Sequence, residues 1–176
     1  MSKFRVCALG FLPLTLVPLS VAGAAVLGPD AAVCGANSAS AVLVKVNGLK
    51  SRAGAVRART FSALNPKSWF DKKMALKRTE VKVPASGPIE ICMAVPKPGG
   101  YVIDIRHDAN SDGKTDRSDG AGASGNPEMS LFSFMLGKKP PASKVVVQVG
   151  TGVTTINVLV KYVQGGSFKP VQVTSR

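Results

Sequence analysis

From residue 41 onward, apolar and polar side chains alternate one by one, the period-two pattern of strands with one buried face. Val42, Val44 and Val46 share a side that Lys45 does not, and Val56, Ala58 and Thr60 alternate with Arg57, Arg59 and Phe61. Ile89, Ile91, Met93 and Val95 alternate with Glu90, Cys92 and Ala94, and Tyr101, Ile103 and Ile105 with Val102, Asp104 and Arg106. Val145, Val147 and Val149 form another set, as do Ile156, Val158, Val160 and Tyr162, with weaker candidates over 76–83, 129–136 and 171–173. Pro84, Pro88, Pro96, Pro140 and Pro141, with Gly87 and Gly150, fall between these runs and mark strand ends. No sustained 3.6-residue stripe is present, although residues 65–77 leave room for a helical turn around Trp69 and Phe70. The pattern predicts an all-β fold: an antiparallel, Ig-like β-sandwich of about seven or eight strands over 41–163. Residues 25–40 form an N-terminal segment, and 164–176 a tail or an edge strand.

The length of 176 residues suits one domain. Residues 1–24 read as a secretory signal peptide. Lys3 and Arg5 precede an apolar stretch over 6–19, and Ala22, Gly23 and Ala24 supply small residues for cleavage. The alternatives are a retained membrane anchor, because nonpolar character continues to Leu27, and lipidation at Cys34, where Val33 does not suit a lipobox. Cleavage predicts a periplasmic or extracellular protein that is not integral to the membrane.

Cleavage also removes Cys7, leaving Cys34 and Cys92 in an oxidising compartment. An even count there reads as one disulfide that contributes ~2–4 kcal/mol; the alternative is two free thiols. Cys92 lies opposite in parity to Ile91 and Met93, so its sulfur points away from the core, and a bridge to Cys34 staples the N-terminal segment across a face or edge.

The densest chemistry follows Ile105. Asp108, Asn110, Asp112, Asp116 and Asp119 occupy positions one, three, five, nine and twelve of a twelve-residue stretch. Gly113 stands at six, where the backbone turns sharply, and Lys114 at seven, where a main-chain carbonyl serves. That is the spacing of a calcium loop, which converges hard oxygens on one cation. The shorter Asp at position twelve and the charges of Lys114 and Arg117 weaken the match, and no amphipathic helices flank it. The competing explanation is a metal-free connection whose carboxylates cap its own backbone. No strand is evident from 108 to about 128, which predicts one long Asp-rich loop.

The run KVNGL at 45–49, HDANSDGKTD at 107–116 and GTGVTTI at 150–156 together resemble the bacterial domain-of-unknown-function family 2141 over roughly residues 41–163. The resemblance implies an exported sandwich akin to transthyretin-like or carboxypeptidase-regulatory-like modules, with no assigned activity. After the loop, where members commonly continue with a Gly- and aromatic-rich stretch and Asn, this chain reads GNPEM at 125–129.

The chain has one histidine, which leaves few groups for acid–base work near neutral pH. His107 shares parity with Ile103 and Ile105. It is either a metal ligand or base beside the loop, or a strand-end side chain that holds the loop backbone; the second is favoured. No nucleophile elbow, phosphate-binding loop or dinucleotide fingerprint is present. The net charge of +13 falls to +11 without Lys3 and Arg5, and residues 45–82 hold 11 Lys or Arg against Asp71 and Glu80. Arg57 and Arg59, with Lys72 and Lys73 near Trp69 and Phe70, make a candidate anion-binding face; the simpler alternative is a solvated face kept soluble by charge.

The expectation is an exported cell-envelope β-sandwich that is not an enzyme, a structural or binding module with a calcium-stabilised loop as its candidate cofactor site. The alternatives are a binder of anionic envelope glycan or lipid and, more weakly, a hydrolase using His107. Nucleic acid is not expected as a partner.

Overall fold

The computed structural model of the protein describes residues 25–128 and 130–171; the stretch 1–24, read above as a signal peptide, lies outside them. Eleven strands occur among the described residues: β1 (Val26–Leu27), β2 (Ala41–Asn47), β3 (Ala55–Ser62), β4 (Lys77–Lys82), β5 (Ile89–Ala94), β6 (Gly99–Asp108), β7 (Gly120–Ala123), β8 (Val147–Val149), β9 (Val153–Leu159), β10 (Lys161–Gln164) and β11 (Ser167–Pro170). Three short helices join them, α1 (Ala31–Ala36), α2 (Leu131–Met135) and α3 (Ala142–Val145), with one 3₁₀ turn at Pro66–Ser68.

The strands form two sheets. The first has the order β1-β5-β2-β9, the second β11-β10-β7-β6-β3-β4, with β8 pairing to the start of β6. Most pairs are antiparallel, but β1 runs parallel to β5 and β9 parallel to β2. Parallel neighbours need long connections, and here nearly the whole second sheet lies between β2 and β9.

The alternation predicts which side chains meet. Val42, Val44, Ile91 and Met93 of the first sheet pack against Val56, Ala58, Ile103 and Ile105 of the second, all buried. The run Ile156, Val158, Val160, Tyr162 keeps one parity while changing sheet, and Val160, between β9 and β10, is fully buried. A smaller apolar cluster of Phe61, Trp69, Val102 and Val145 lies apart from that core. Its strand members have the outward parity of the second sheet, and Trp69 is fixed by an Nε1–H bond to the carbonyl of Ser62 at 2.9 Å.

Several local expectations change. Residues 129–136 do not form a strand: Ser130 makes an isolated bridge to Ser167, and α2 follows with Phe132 and Met135 exposed. Phe132, Met135 and Leu136, which suggested a strand there, face solvent instead of a core. The Asp-rich connection ends at Asp119, because β7 follows directly. Its Gly-Ala-Gly-Ala sequence carries no β-branched residue to signal a strand. Glycine is required on its inner side: a Cβ at Gly120 would stand 2.4 Å from Val160 Cγ1, and one at Gly122 2.8 Å from the carbonyl oxygen of Leu159. Residues 25–40 contribute β1 and α1, and the tail contributes β11 at the edge. Of the 171–173 run, only Val171 lies within the described residues, and it is not in a strand.

Candidate functional site

The acidic loop bridges β6 and β7 and is organised from within. Asp108 Oδ2 accepts the Gly113 N–H at 2.9 Å, Asp112 Oδ1 that of Lys114 at 2.8 Å, and Asp116 Oδ1 that of Ser118 at 2.6 Å. Asn110 Oδ1 accepts from Asp112 N–H at 3.3 Å. Asp119 ties the two ends together, accepting from Ala109 N–H at 3.4 Å and Asp116 N–H at 3.3 Å. Gly113 sits at φ +71°, the left-handed turn expected at that position. Hydrogen bonding from Ser118 holds the Asp116 carboxyl below its ordinary value. The loop is therefore a set of Asx-type turns, and among the described residues no three His, Cys, Asp or Glu side chains converge as a metal-ligand group. Asp108 and Asp119 are buried, whereas Asn110, Asp112, Lys114 and Asp116 are exposed. One donor oxygen stands apart: Asp108 Oδ1 is buried without a hydrogen-bond partner.

His107 is fully buried at the end of β6. Its Nε2 lies 2.8 Å from the Ala53 carbonyl, which can only accept, so Nε2 carries a proton. In the neutral ring Nδ1 then accepts from the Tyr162 hydroxyl at 2.5 Å, and that oxygen accepts the Lys50 N–H at 3.1 Å. The imidazole holds the 48–54 turn, which lies beside the Asp loop: Lys50 Nζ donates to the Ser118 carbonyl. Strand-end histidine was the favoured expectation; its partners are the neighbouring turn and a distant tyrosine.

Cys34 and Cys92 are joined, with Cα atoms 6.0 Å apart. Cys92 points away from the core, as its parity requires, and is covered, fully buried, where α1 packs over β5. Asp30 strengthens the same junction: its Oδ2 accepts the Ala94 N–H at 2.8 Å and pairs with Lys77.

The basic face is less open than its sequence suggests. Arg57 pairs with Glu80 at 2.8 Å, and Arg78 reaches the same oxygen at 3.0 Å. The two arginines hold the Glu80 carboxyl below its ordinary 4.5. Arg59 is buried and grips both oxygens of Asp104, with Nε to Oδ1 at 2.9 Å. Burial works against the ionised form of Asp104 and raises its carboxyl, with Arg59 opposing. Lys72 and Lys73 lie on an exposed turn after Phe70. The four residues thus do not form one free cationic patch.

Among the described residues, Arg106 is the arginine on this face without a direct ion pair, although the charges of Asp104 and Asp119 act on it. It shares the outward parity of Asp104 and is only partly exposed, and burial pushes its guanidinium below its ordinary value, with Asp104 opposing. Beside it lies a cleft of about 100 Å³ whose lining includes Arg106, Phe70, Ala121, Leu159, Lys161 and Phe168. Neither Arg106 nor Lys161 stands out in the sequence. The signal that could have found them is the pairing of outward charges on β6 and β10 with the alanines of β7. Asn126 closes the end of β7, accepting the Leu159 N–H at 2.7 Å and donating to the Asn157 carbonyl at 3.1 Å.

No helix among the described residues is long and apolar enough to cross a membrane. A family model described as an uncharacterized protein conserved in bacteria (DUF2141) matches residues 44–157. No curated protein and no solved structure matches the chain.

Proposed function

The chain belongs to this uncharacterised bacterial family (DUF2141), and from that premise we propose that it is an exported cell-envelope β-sandwich that serves as a binding module and carries out no reaction. The observation that supports this reading is the position of its sole histidine. His107 is fully buried, and both ring nitrogens are engaged by Ala53 and Tyr162. A general base must reach the proton it removes, and a ring committed on both sides inside the core has no access to substrate. The leader-like sequence at 1–24 and the Cys34–Cys92 bridge support export, since such bridges persist in oxidising compartments. Expression with the native leader tests this: the expected product is a periplasmic or secreted chain shortened by 22 or 24 residues, cut after Ala22 or Ala24, with no free thiol. A full-length cytoplasmic product with three reactive thiols, Cys7 among them, overturns it.

A second reading is favoured by one atom. The unpartnered, buried Asp108 Oδ1 is a costly acceptor to leave unmet, and a divalent cation at the head of the loop would satisfy it. Calcium in extracellular modules binds weakly, at about 10⁻⁴–10⁻³ M. On this reading, millimolar calcium raises the Tm, and Asp108→Asn or Asp112→Ala removes the increase. Identical melting curves in calcium and in chelator leave the loop as a metal-free turn.

A further inference from the structure

We propose that the cleft on the outer face of the second sheet binds a small ligand that joins one carboxylate to a short apolar body, with Arg106 as its anchor. The proposal rests on the binding-module reading and supplies the site and ligand class that reading lacks.

The strand register sets up the charge. Arg57 of β3 stands directly opposite Arg106 of β6, Arg106 opposite Ala121 of β7, and Ala121 opposite Lys161 of β10. Like charges directly opposite on neighbouring strands repel, and each arginine on this face other than Arg106 has an acidic partner. Arg57 and Arg78 share Glu80, while Arg59 occupies both oxygens of Asp104. Arg106 has neither an ion pair within 4 Å nor a side-chain hydrogen bond among the described residues. A guanidinium keeps its charge and offers five donors in a planar fork. Partly buried, and with Asp104 and Asp119 acting on its charge without a direct ion pair, it keeps its fork of donors for an anion that enters the cleft.

The strand next to it makes the space. Ala121 and Ala123 project outward from β7 and leave a shallow floor between Arg106 and Lys161, two strand spacings or roughly 10 Å apart. Lys161 Nζ donates to the Pro127 carbonyl at 3.3 Å and brings a second positive charge to the far side. Between these charges, Phe70, Pro127, Leu159 and Phe168 give the cleft apolar walls. A carboxylate matches the planar fork of Arg106 bidentately. The apolar walls favour an apolar body over a hydroxyl-rich sugar, although Asp104 and Asn126 also reach the lining. The volume of about 100 Å³ suits a few carbon atoms instead of a long chain.

Calorimetric titration of the purified protein with hexanoate, hexanol, hexylammonium and acetate tests the site. Hexanoate is expected to bind at least tenfold more tightly than hexanol or acetate, with hexylammonium inert. Arg106→Gln should weaken hexanoate at least tenfold. Ala121→Leu, which fills the floor and leaves every charge in place, should do the same with an unchanged circular dichroism spectrum; it keeps the test decisive if Arg106→Gln does not fold. Equal affinity for hexanoate and hexanol, no binding by the folded wild type, or tight binding by either folded variant overturns the site. Hexanoate recovered unchanged after long incubation agrees with a module that performs no chemistry. Its conversion overturns that reading and leaves the site standing.

Discussion

Tyr162 Oη lies 2.5 Å from His107 Nδ1, and through this contact a residue of β10 fixes the end of β6 and the 48–54 turn together. Tyr162→Phe leaves a buried imidazole nitrogen without its donor and the Lys50 N–H without its acceptor. An unmet buried polar group costs about 1–3 kcal/mol, so the variant should melt several degrees lower while retaining its circular dichroism spectrum. A Tm equal to wild type contradicts this role.

The same phenol sets an alkaline limit. Burial pushes Tyr162 above its ordinary 10.0, so the folded chain holds that proton more tightly than the unfolded chain. Its contribution is complete below pH 10 and is lost as pH rises through the folded-state value. Wild type should therefore lose more Tm than Tyr162→Phe between pH 9 and pH 11. Phenolate absorbance should show one tyrosine ionising late and returning to the ordinary range on denaturation.

Arg59→Met and Asp104→Asn test the buried pair. Removing one partner strands the other, at a cost of about 3–5 kcal/mol. The double replacement Arg59→Met with Asp104→Leu should recover most of the loss, because no charge is then left buried. Additive losses in urea unfolding would show that packing, not pairing, decides the site.

Reduction of Cys34–Cys92 should lower stability by ~2–4 kcal/mol and free α1 and β1 from β5. The expected signature is faster amide exchange and proteolysis confined to residues 26–40, with the two-sheet core still protected. Uniform unfolding on reduction would assign the bridge a larger part.

Asp119 spans the acidic loop by accepting one N–H near each end. Asp119→Ala should cost about 1–3 kcal/mol, whereas Asn110→Ala on the exposed side should cost less than 1 kcal/mol, since surface changes of that kind are usually small. Similar losses at both positions would argue against this internal scaffold.

Much of the architecture was legible because a half-buried strand must alternate. Val42, Ile91, Ile103 and Val158 face the core as their parity requires. The run from Ile156 to Tyr162 kept its parity while moving between sheets, so a change of sheet left no mark on the pattern. β7 escaped notice because Gly120 and Gly122 are selected by close approach to Val160 and Leu159, not by strand propensity. The outward face of β3 read as free charge because sequence shows the donors and not their partners: Glu80 and Asp104 reach Arg57 and Arg59 only through the register of three strands. Arg106 went unseen for the same reason in reverse, since its importance lies in the partner it lacks. The twelve-residue acidic spacing was visible, yet spacing alone does not distinguish oxygens aimed at an ion from oxygens aimed at their own backbone.

The hand-over at Val160 governs the order in which this polypeptide can take shape. β9 aligns with β2 along its whole length, from Ala41 against Val153 to Asn47 against Leu159, and β10 then docks on β7. Neither layer is complete until translation has passed residue 160. Pairing of such distant segments must wait for most of the chain to exist, which places this fold among the slower, long-range topologies.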